Sequence, residues 1–242
     1  MGHARQAQCV CRDICSIAKG NKLQKHKAPL ATIAVLLMLC SLCIAQSGKV
    51  DSIGPLTDSA VSEQIRQSLD TKGYRLTLDD PKPWCELWLR KNIPTQASKN
   101  SELVYPRFAE STLLGVIHFT QAAADFRGHP VPAGFYTARY ELLPDDGNHL
   151  GVAPNRDFVL LIPAQADLDS NATFKYQELV SMSARTAGTK HPAPLSLPPA
   201  DKPSSGTVAK DDQDHWIFSA SLKLASGEEI PFALVVKGIA QQ

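Results

Sequence analysis

The sequence predicts a mostly β protein, an antiparallel β-sandwich with one inserted helix and a short N-terminal helix. Around eight short segments have the alternating or continuous apolar residues of strands. Seventeen prolines and fourteen glycines divide the chain into short elements joined by turns. Only two segments have the spacing of apolar residues that an amphipathic helix requires. This succession of strands with a helical excursion is typical of a two-layered β domain.

The short helix is predicted at residues 58–70. Val61, Ile65 and Leu69 recur every four residues there, and Asp58 or Ser59 can cap the N-terminus. A second helix is predicted within residues 169–188. Its N-cap would be Asp169, Ser170 or Asn171, and Gly188 would end it.

Strands are predicted at residues 74–78, 84–90, 112–120, 134–143, 157–163, 215–224 and 229–238. Alternation in the fourth of these places Tyr136, Ala138, Tyr140 and Leu142 on one face and Phe135, Thr137, Arg139 and Glu141 on the other. The last two strands form a hairpin through residues 225–228. Two strands are not stable alone, so they must complete the sheet begun earlier, although the proline-rich residues 191–206 have no regular structure. We therefore expect a single domain at residues 58–240, preceded by a flexible leader at residues 46–57.

Residues 1–45 are predicted to be an export signal. Lys22, Lys25, His26 and Lys27 precede an uncharged apolar stretch at residues 28–45, which is the order of a secretory signal. We expect cleavage after Ala45 and export to the periplasm or the extracellular space. An uncleaved signal would instead anchor the chain, since about 18 apolar residues are just enough to span a bilayer. A lipid-modified cysteine is disfavoured because Leu39 and Leu42 precede Cys40 and Cys43.

The segment before the basic cluster is long for an export signal and contains three cysteines. An over-long start of the chain explains it, and the alternative is a metal patch formed by Cys9, Cys11 and Cys15. Their spacing matches no usual zinc pattern, so the first explanation is favoured.

The chain after residue 45 is slightly acidic. Removing residues 1–45 takes away six of the 25 basic and one of the 24 acidic residues, which leaves 19 basic and 23 acidic residues and a net charge of −4. Nucleic acid is therefore not an expected partner, because binding phosphates needs a basic surface. Only Cys85 of the six cysteines remains, so no internal disulfide is expected, and its apolar neighbours favour a buried thiol.

The candidate site residues lie in three loops. Arg127 and His129 follow a strand and precede a Pro-Ala-Gly corner, and His191 follows the second helix. The loop after Pro144 contributes four more candidates: Asp146, His149, Arg156 and Asp157. Turn geometry accounts for residues 144–148, and an ion pair of Arg156 with Asp157 would tie the loop down without any function. The alternative is a polar pocket that uses these side chains.

The other histidines are expected to be structural. His118 lies within a strand and is predicted to be half-buried and bonded to a neighbour, whereas His215 opens a strand and is predicted to be exposed. The sequence contains no complete catalytic motif, and no cofactor is expected. A divalent metal held by the acids and histidine after Pro144 is disfavoured, because the spacing matches no known loop or helix motif.

Residues 114–192 resemble a group of uncharacterised exported bacterial proteins. The matching pieces are FRGHPVPAGFYTARY, DDGNHLGVAPNRDFVLL and GTKHP, which include a Pro-Ala-Gly-x-Tyr-Thr corner and an Asp-Gly-x-His motif. The corner also looks like a wider class of β-sandwich domains of unknown function. The resemblance implies an exported β-rich domain and brings no activity with it.

Two hypotheses of function follow. The first is a non-catalytic exported domain that binds an unknown ligand or protein through loops at one end of the sandwich. The second is a hydrolase or metal-assisted enzyme in which His149 or His191 acts as general base and Asp157 orients it. The second requires these side chains to lie within hydrogen-bond reach of one another.

Overall fold

The computed structural model describes residues 47–97, 102–144 and 155–240. These residues all belong to one compact unit. The predicted export signal, Cys9, Cys11, Cys15, Asp146 and His149 lie outside the described residues.

Twelve strands and two helices are described, in the following chain order. They are β1 (Lys49–Ile53), α1 (Glu63–Ser68), β2 (Leu69–Thr77), β3 (Pro83–Arg90), β4 (Leu113–Phe119), β5 (Ala123–Ala124), β6 (Pro130–Val131), β7 (Gly134–Leu142), β8 (Asp157–Pro163), a 3-10 turn (Ala164–Ala166), α2 (Tyr176–Ala187), β9 (Pro194–Ser196), β10 (Thr207–Lys210), β11 (Trp216–Lys223) and β12 (Glu229–Lys237). None of the described helices is long and apolar enough to cross a membrane.

The strands form two main antiparallel sheets and a small hairpin. The larger sheet has the order β1-β2-β3-β4-β7-β8-β9, the smaller has the order β10-β11-β12, and β5 pairs with β6. Apolar side chains from both main sheets share one hydrophobic core, as in a sandwich. An isolated antiparallel bridge between Ser47 and Ala209 links β1 to β10 at one edge. The predicted mostly β, antiparallel fold is confirmed.

The faces of β7 follow the predicted alternation. Tyr136, Ala138 and Tyr140 lie in the shared core. Thr137, Arg139 and Glu141 lie on the opposite face, and they too are buried, because residues 164–187 cover that face. Helix α2 packs on β8 through a second apolar cluster that contains Phe158, Leu160, Ile162, Leu179 and Met182. The inserted helix thus adds a further layer over β8 of the larger sheet.

Both helices begin later than predicted, and α1 also ends earlier, at Ser68, because Leu69 and Asp70 belong to β2. Helix α1 begins at Glu63, because Ser62 accepts the backbone N–H of Ile65 at 3.2 Å, whereas Asp58 accepts the N–H of Ala60 in a preceding turn. Helix α2 begins at Tyr176 with no side-chain cap. The predicted caps at residues 169–171 are therefore wrong. The predicted stop is confirmed, since Gly188 has the left-handed conformation with φ of 62°.

Three predictions about irregular segments and exposure are wrong. The segment at residues 46–57 is not a flexible leader throughout, because β1 pairs along β2 from Lys49 to Ile53. The proline-rich stretch contains β9, an edge strand that Pro194 begins at a position where a missing N–H is tolerated. His215 was predicted to be exposed, but it is buried, with 5% of its surface accessible.

Two predictions about single side chains are confirmed. Cys85 is fully buried, and burial raises the pKa of its thiol, followed by the nearby charge of Glu86. His118 is partly buried and lies 3.0 Å from the Glu86 carboxylate through Nδ1. Burial alone would raise the pKa of Glu86, but hydrogen bonds from His118 and Arg75 lower it overall.

Candidate functional site

The hairpin loop at residues 125–129 is built around the buried carboxylate of Asp125. One oxygen, Oδ1, accepts the backbone N–H groups of Arg127 and His129, both at 2.9 Å. The other, Oδ2, lies 3.1 Å from Nδ1 of His129. Gly128 has φ of 86°, a conformation that favours glycine and closes the turn. The loop therefore holds the His129 ring in place and leaves the Arg127 side chain exposed.

The loop after α2 brings His191 to this hairpin. Gly188 ends the helix, and Thr189 forms a tight turn in which its hydroxyl accepts the N–H of His191 at 3.0 Å. The rings of His129 and His191 stack, with centroids 6.0 Å apart and an angle of 12° between their planes. Two of the predicted loops thus meet.

Beside this stack lies a pocket of about 240 Å³, which we call the loop-end pocket. Its walls combine apolar side chains with five ionisable ones, which come from four separate parts of the chain. The lining residues are Phe126, Arg127, Leu143, Asp157, Phe158, Tyr176, Val180, Lys190, His191, Pro192, Pro194, Ser196 and Ala240.

Two side chains at this pocket, those of Arg127 and Lys190, are cationic. Arg127 and Lys190 are both exposed. Within the described part of the chain, neither side chain has a hydrogen-bond or ion-pair partner.

Asp157 lines the pocket, but both oxygens of its carboxylate accept hydrogen bonds from within the protein. Its Oδ2 accepts the N–H of Val104 at 2.9 Å, and its Oδ1 accepts the N–H of Tyr105 at 2.8 Å and the hydroxyl of Tyr140 at 2.7 Å. Burial and then Asp157 itself raise the pKa of Tyr140, so that hydroxyl stays a donor. Asp157 thus anchors residues 104–105 to the sheet.

Arg156 fixes the end of β7. Its Nε and Nη2 atoms donate to the carbonyl of Leu143 at 3.1 and 2.9 Å. The two ends of this loop, Leu143 and Arg156, are therefore bonded to each other. The Asp157 carboxylate accepts other donors and not the side chain of Arg156.

The structure brings four of the seven candidate residues to one place. Arg127, Asp157 and His191 line the loop-end pocket, and His129 stacks against His191. Arg156 does not line the pocket but donates to the carbonyl of Leu143, which does. Asp146 and His149 lie outside the described residues.

The loop at residues 211–215 repeats the hydrogen-bond pattern of the loop at residues 125–129 and contacts the C-terminal segment beside the pocket. Asp211 accepts the N–H groups of Gln213 and His215 through Oδ1, and its Oδ2 lies 3.2 Å from His215 Nδ1. His215 Nε2 lies 3.1 Å from the carbonyl of Ile239, and the N–H of Ala240 donates to Phe126. The two loops therefore hold the segment that carries Ala240.

Sequence reasoning missed both loop carboxylates and the cation Lys190. The signal that would have found the loops is the spacing Asp-x-x-x-His, which occurs at residues 125–129 and 211–215. The same spacing also occurs at residues 145–149, outside the described residues. Lys190 could have been found as the cation adjacent to His191.

The described residues do not assemble the expected catalytic pair. His191 has no hydrogen bond to Asp157 in the described part of the chain, because the oxygens of Asp157 are bound by three other donors. Among the same residues, no three His, Cys, Asp or Glu side chains cluster as a metal site would require. His149, the other base of the enzyme hypothesis, lies outside the described residues, so that hypothesis stays a prediction.

Fold and site together define a mostly β, antiparallel protein with a small, cation-rimmed pocket between hairpin loops and a covering helix. Comparison with protein families, curated proteins and solved structures finds no match.

Proposed function

We propose that this protein is an exported, non-catalytic binding domain that holds a small ligand in the loop-end pocket. The observation that carries the proposal is the convergence of Arg127, Lys190 and His191, from two separate loops, on one apolar cavity. Apolar walls with a few convergent polar groups are typical of ligand sites.

The charges of the site support binding rather than catalysis. The exposed cations have no neighbouring base or nucleophile bonded to them in the described part of the chain. Asp157, the carboxylate in the lining, accepts three hydrogen bonds and therefore serves packing. Such a site can hold and orient a ligand.

The binding proposal is tested by filling the pocket. Saturation-transfer NMR would screen aromatic fragments, each ring system supplied in neutral, anionic and cationic forms, against the wild-type protein. Val180→Trp and Ala240→Trp each place an indole at the lining, and we expect both to abolish the fragment signals. Leu168→Trp is the control, because Leu168 is exposed and lies outside the lining. Hits that persist unchanged in both pocket variants would refute the proposal.

Export is supported by the basic cluster followed by the apolar stretch at residues 28–45. Mass spectrometry of the protein from a host that secretes it should find an N-terminus at or near Gln46. A chain that keeps Met1 would contradict cleavage.

A further inference from the structure

We propose that the loop-end pocket takes a small carboxylic acid with an apolar body, with its carboxylate between Arg127 and Lys190. The inference rests on the proposed binding function and specifies the chemistry of the ligand.

The two positive charges in the pocket lining favour an anionic ligand. Arg127 and Lys190 enter the lining from different loops, and neither has a partner in the described part of the chain. The opposing charge of Asp157 is held by the N–H groups of Val104 and Tyr105 and by the Tyr140 hydroxyl. A cationic ligand would meet two like charges, whereas an anion meets two free donors.

The position of these cations is unusual for the chain as a whole. The residues after 45 carry more acidic than basic side chains, 23 against 19. A site with two free cations on such a chain concentrates positive potential locally, which steers small anions toward it. The guanidinium of Arg127 also has the planar, forked donor geometry that fits the two oxygens of a carboxylate.

The body of the ligand must be apolar. Phe126, Phe158 and Val180 line the pocket, with Leu143 and Pro194 beside them. Burying a hydrocarbon against these side chains contributes about 25 cal/mol for each Å² removed from water. An inorganic anion has no hydrocarbon to bury against these apolar side chains, so it would gain none of this free energy.

The size of the cavity limits the body. A volume of about 240 Å³ lies below the roughly 300 Å³ at which pockets for drug-sized ligands begin. The pocket therefore fits a short aliphatic or single-ring acid better than a long-chain lipid.

The proposal is tested with four probes that share one tail. Isothermal titration would compare octanoate, octanol, octylamine and octyl phosphate on the full-length protein at low ionic strength. We expect octanoate to bind at least tenfold tighter than octanol, and octylamine to bind most weakly. The octanoate affinity should fall with added salt, since the contributing charges are exposed, whereas the octanol affinity should not.

Substitutions of Arg127 and Lys190 test whether the carboxylate of octanoate binds between these two side chains. Arg127→Gln and Lys190→Gln should each weaken octanoate about threefold, and the double variant about tenfold, because exposed ion pairs contribute about that much. Octanol binding should not change. Lys82→Gln is the matched control, because Lys82 is also exposed but does not line the pocket.

The outcomes separate the ligand class from the binding function. Octanol that binds as tightly as octanoate, or a double variant with unchanged octanoate affinity, refutes the carboxylate while leaving the pocket intact. Octyl phosphate that binds more than tenfold tighter than octanoate replaces the carboxylate with a phosphate. Octanoate that binds Val180→Trp and Ala240→Trp as well as it binds the wild-type protein refutes the site itself.

Discussion

The guanidinium of Arg139 and the carboxylate of Asp167 form a two-point ion pair that is fully buried. Nε lies 2.7 Å from Oδ2, and Nη2 lies 2.8 Å from Oδ1. The remaining N–H groups of Arg139 donate to the carbonyls of Ser111, Ala172 and Asp169 at 2.6–2.8 Å. All five donors are therefore satisfied, and the pair fixes the segment before α2 to the outer face of β7.

The first prediction is that removing one partner of this pair destabilises the fold strongly. Asp167→Asn should lower the free energy of unfolding by about 3–5 kcal/mol, because it leaves the Arg139 charge buried without its counter-charge. Thr137, whose hydroxyl donates to the same carboxylate at 2.6 Å, loses an acceptor as well. Urea denaturation followed by circular dichroism measures the change.

An exposed ion pair provides the control for this prediction. Arg107 and Glu228 lie 2.7 Å apart, with side chains 38% and 52% exposed. Glu228→Gln should change the stability by less than about 1 kcal/mol. Equal effects of Asp167→Asn and Glu228→Gln would contradict a structural role for the buried pair.

The second prediction concerns the two Asp-x-x-x-His loops that the structure describes, at residues 125–129 and 211–215. The side chain of His215 is 7% exposed and that of His129 is 28% exposed. His215 also bridges Asp211 to the carbonyl of Ile239. His215 therefore bonds through both ring nitrogens, whereas His129 bonds to Asp125 through Nδ1. His215→Ala should therefore cost about 2–3 kcal/mol, and His129→Ala less than about 1 kcal/mol.

Hydrogen exchange localises this effect. The amide of Ala240 donates to the carbonyl of Phe126, so His215→Ala should speed exchange in the C-terminal peptide. His129→Ala, the matched variant of the other loop, should leave that peptide protected. Loss of protection in both variants would show that the loops do not act separately.

The sequence predicted the elements whose signals are local. The run of apolar residues at 157–163 gave β8 its observed bounds, and Gly188 ended α2 as expected, because a left-handed residue favours glycine whatever surrounds it. The alternation along β7 assigned Tyr140 and Arg139 to opposite faces correctly.

Features that depend on distant partners were not predictable in the same way. The pattern in residues 49–53 is weak, and they form a strand because β2 offers an edge with which they pair. His215 is buried by Phe126 and Ile239, which are far from it in sequence. Candidate site residues were found where histidines and arginines lie in loops, but the pocket beside them depends on how α2 covers the sheet.

The last prediction concerns the buried carboxyl of Glu141. Its side chain is 1% exposed on β7, and its Oε1 accepts the N–H of Leu142, whereas Oε2 has no hydrogen-bond partner among the described residues. Burial, followed by the charge of Glu110, raises the pKa of Glu141 from 4.5 to about 7, although the hydrogen bond from Leu142 opposes the shift. The folded protein therefore keeps a proton that the unfolded chain releases near pH 4.5.

This difference in proton binding makes stability fall as the pH rises. Between about pH 4.5 and about pH 7 the folded state holds more protons than the unfolded state, so the free energy of unfolding declines by about 1–3 kcal/mol and then levels off. Glu141→Gln keeps the shape of the protonated acid and removes the titration. It should match the wild-type protein at about pH 4, below the unfolded pKa, and be more stable by that amount at pH 8. Urea denaturation at several pH values measures the difference, with Glu178→Gln on the exposed side of α2 as the control. A wild-type stability that rises between pH 5 and pH 8, with no gain from Glu141→Gln, would show that this carboxyl is already charged in the folded protein.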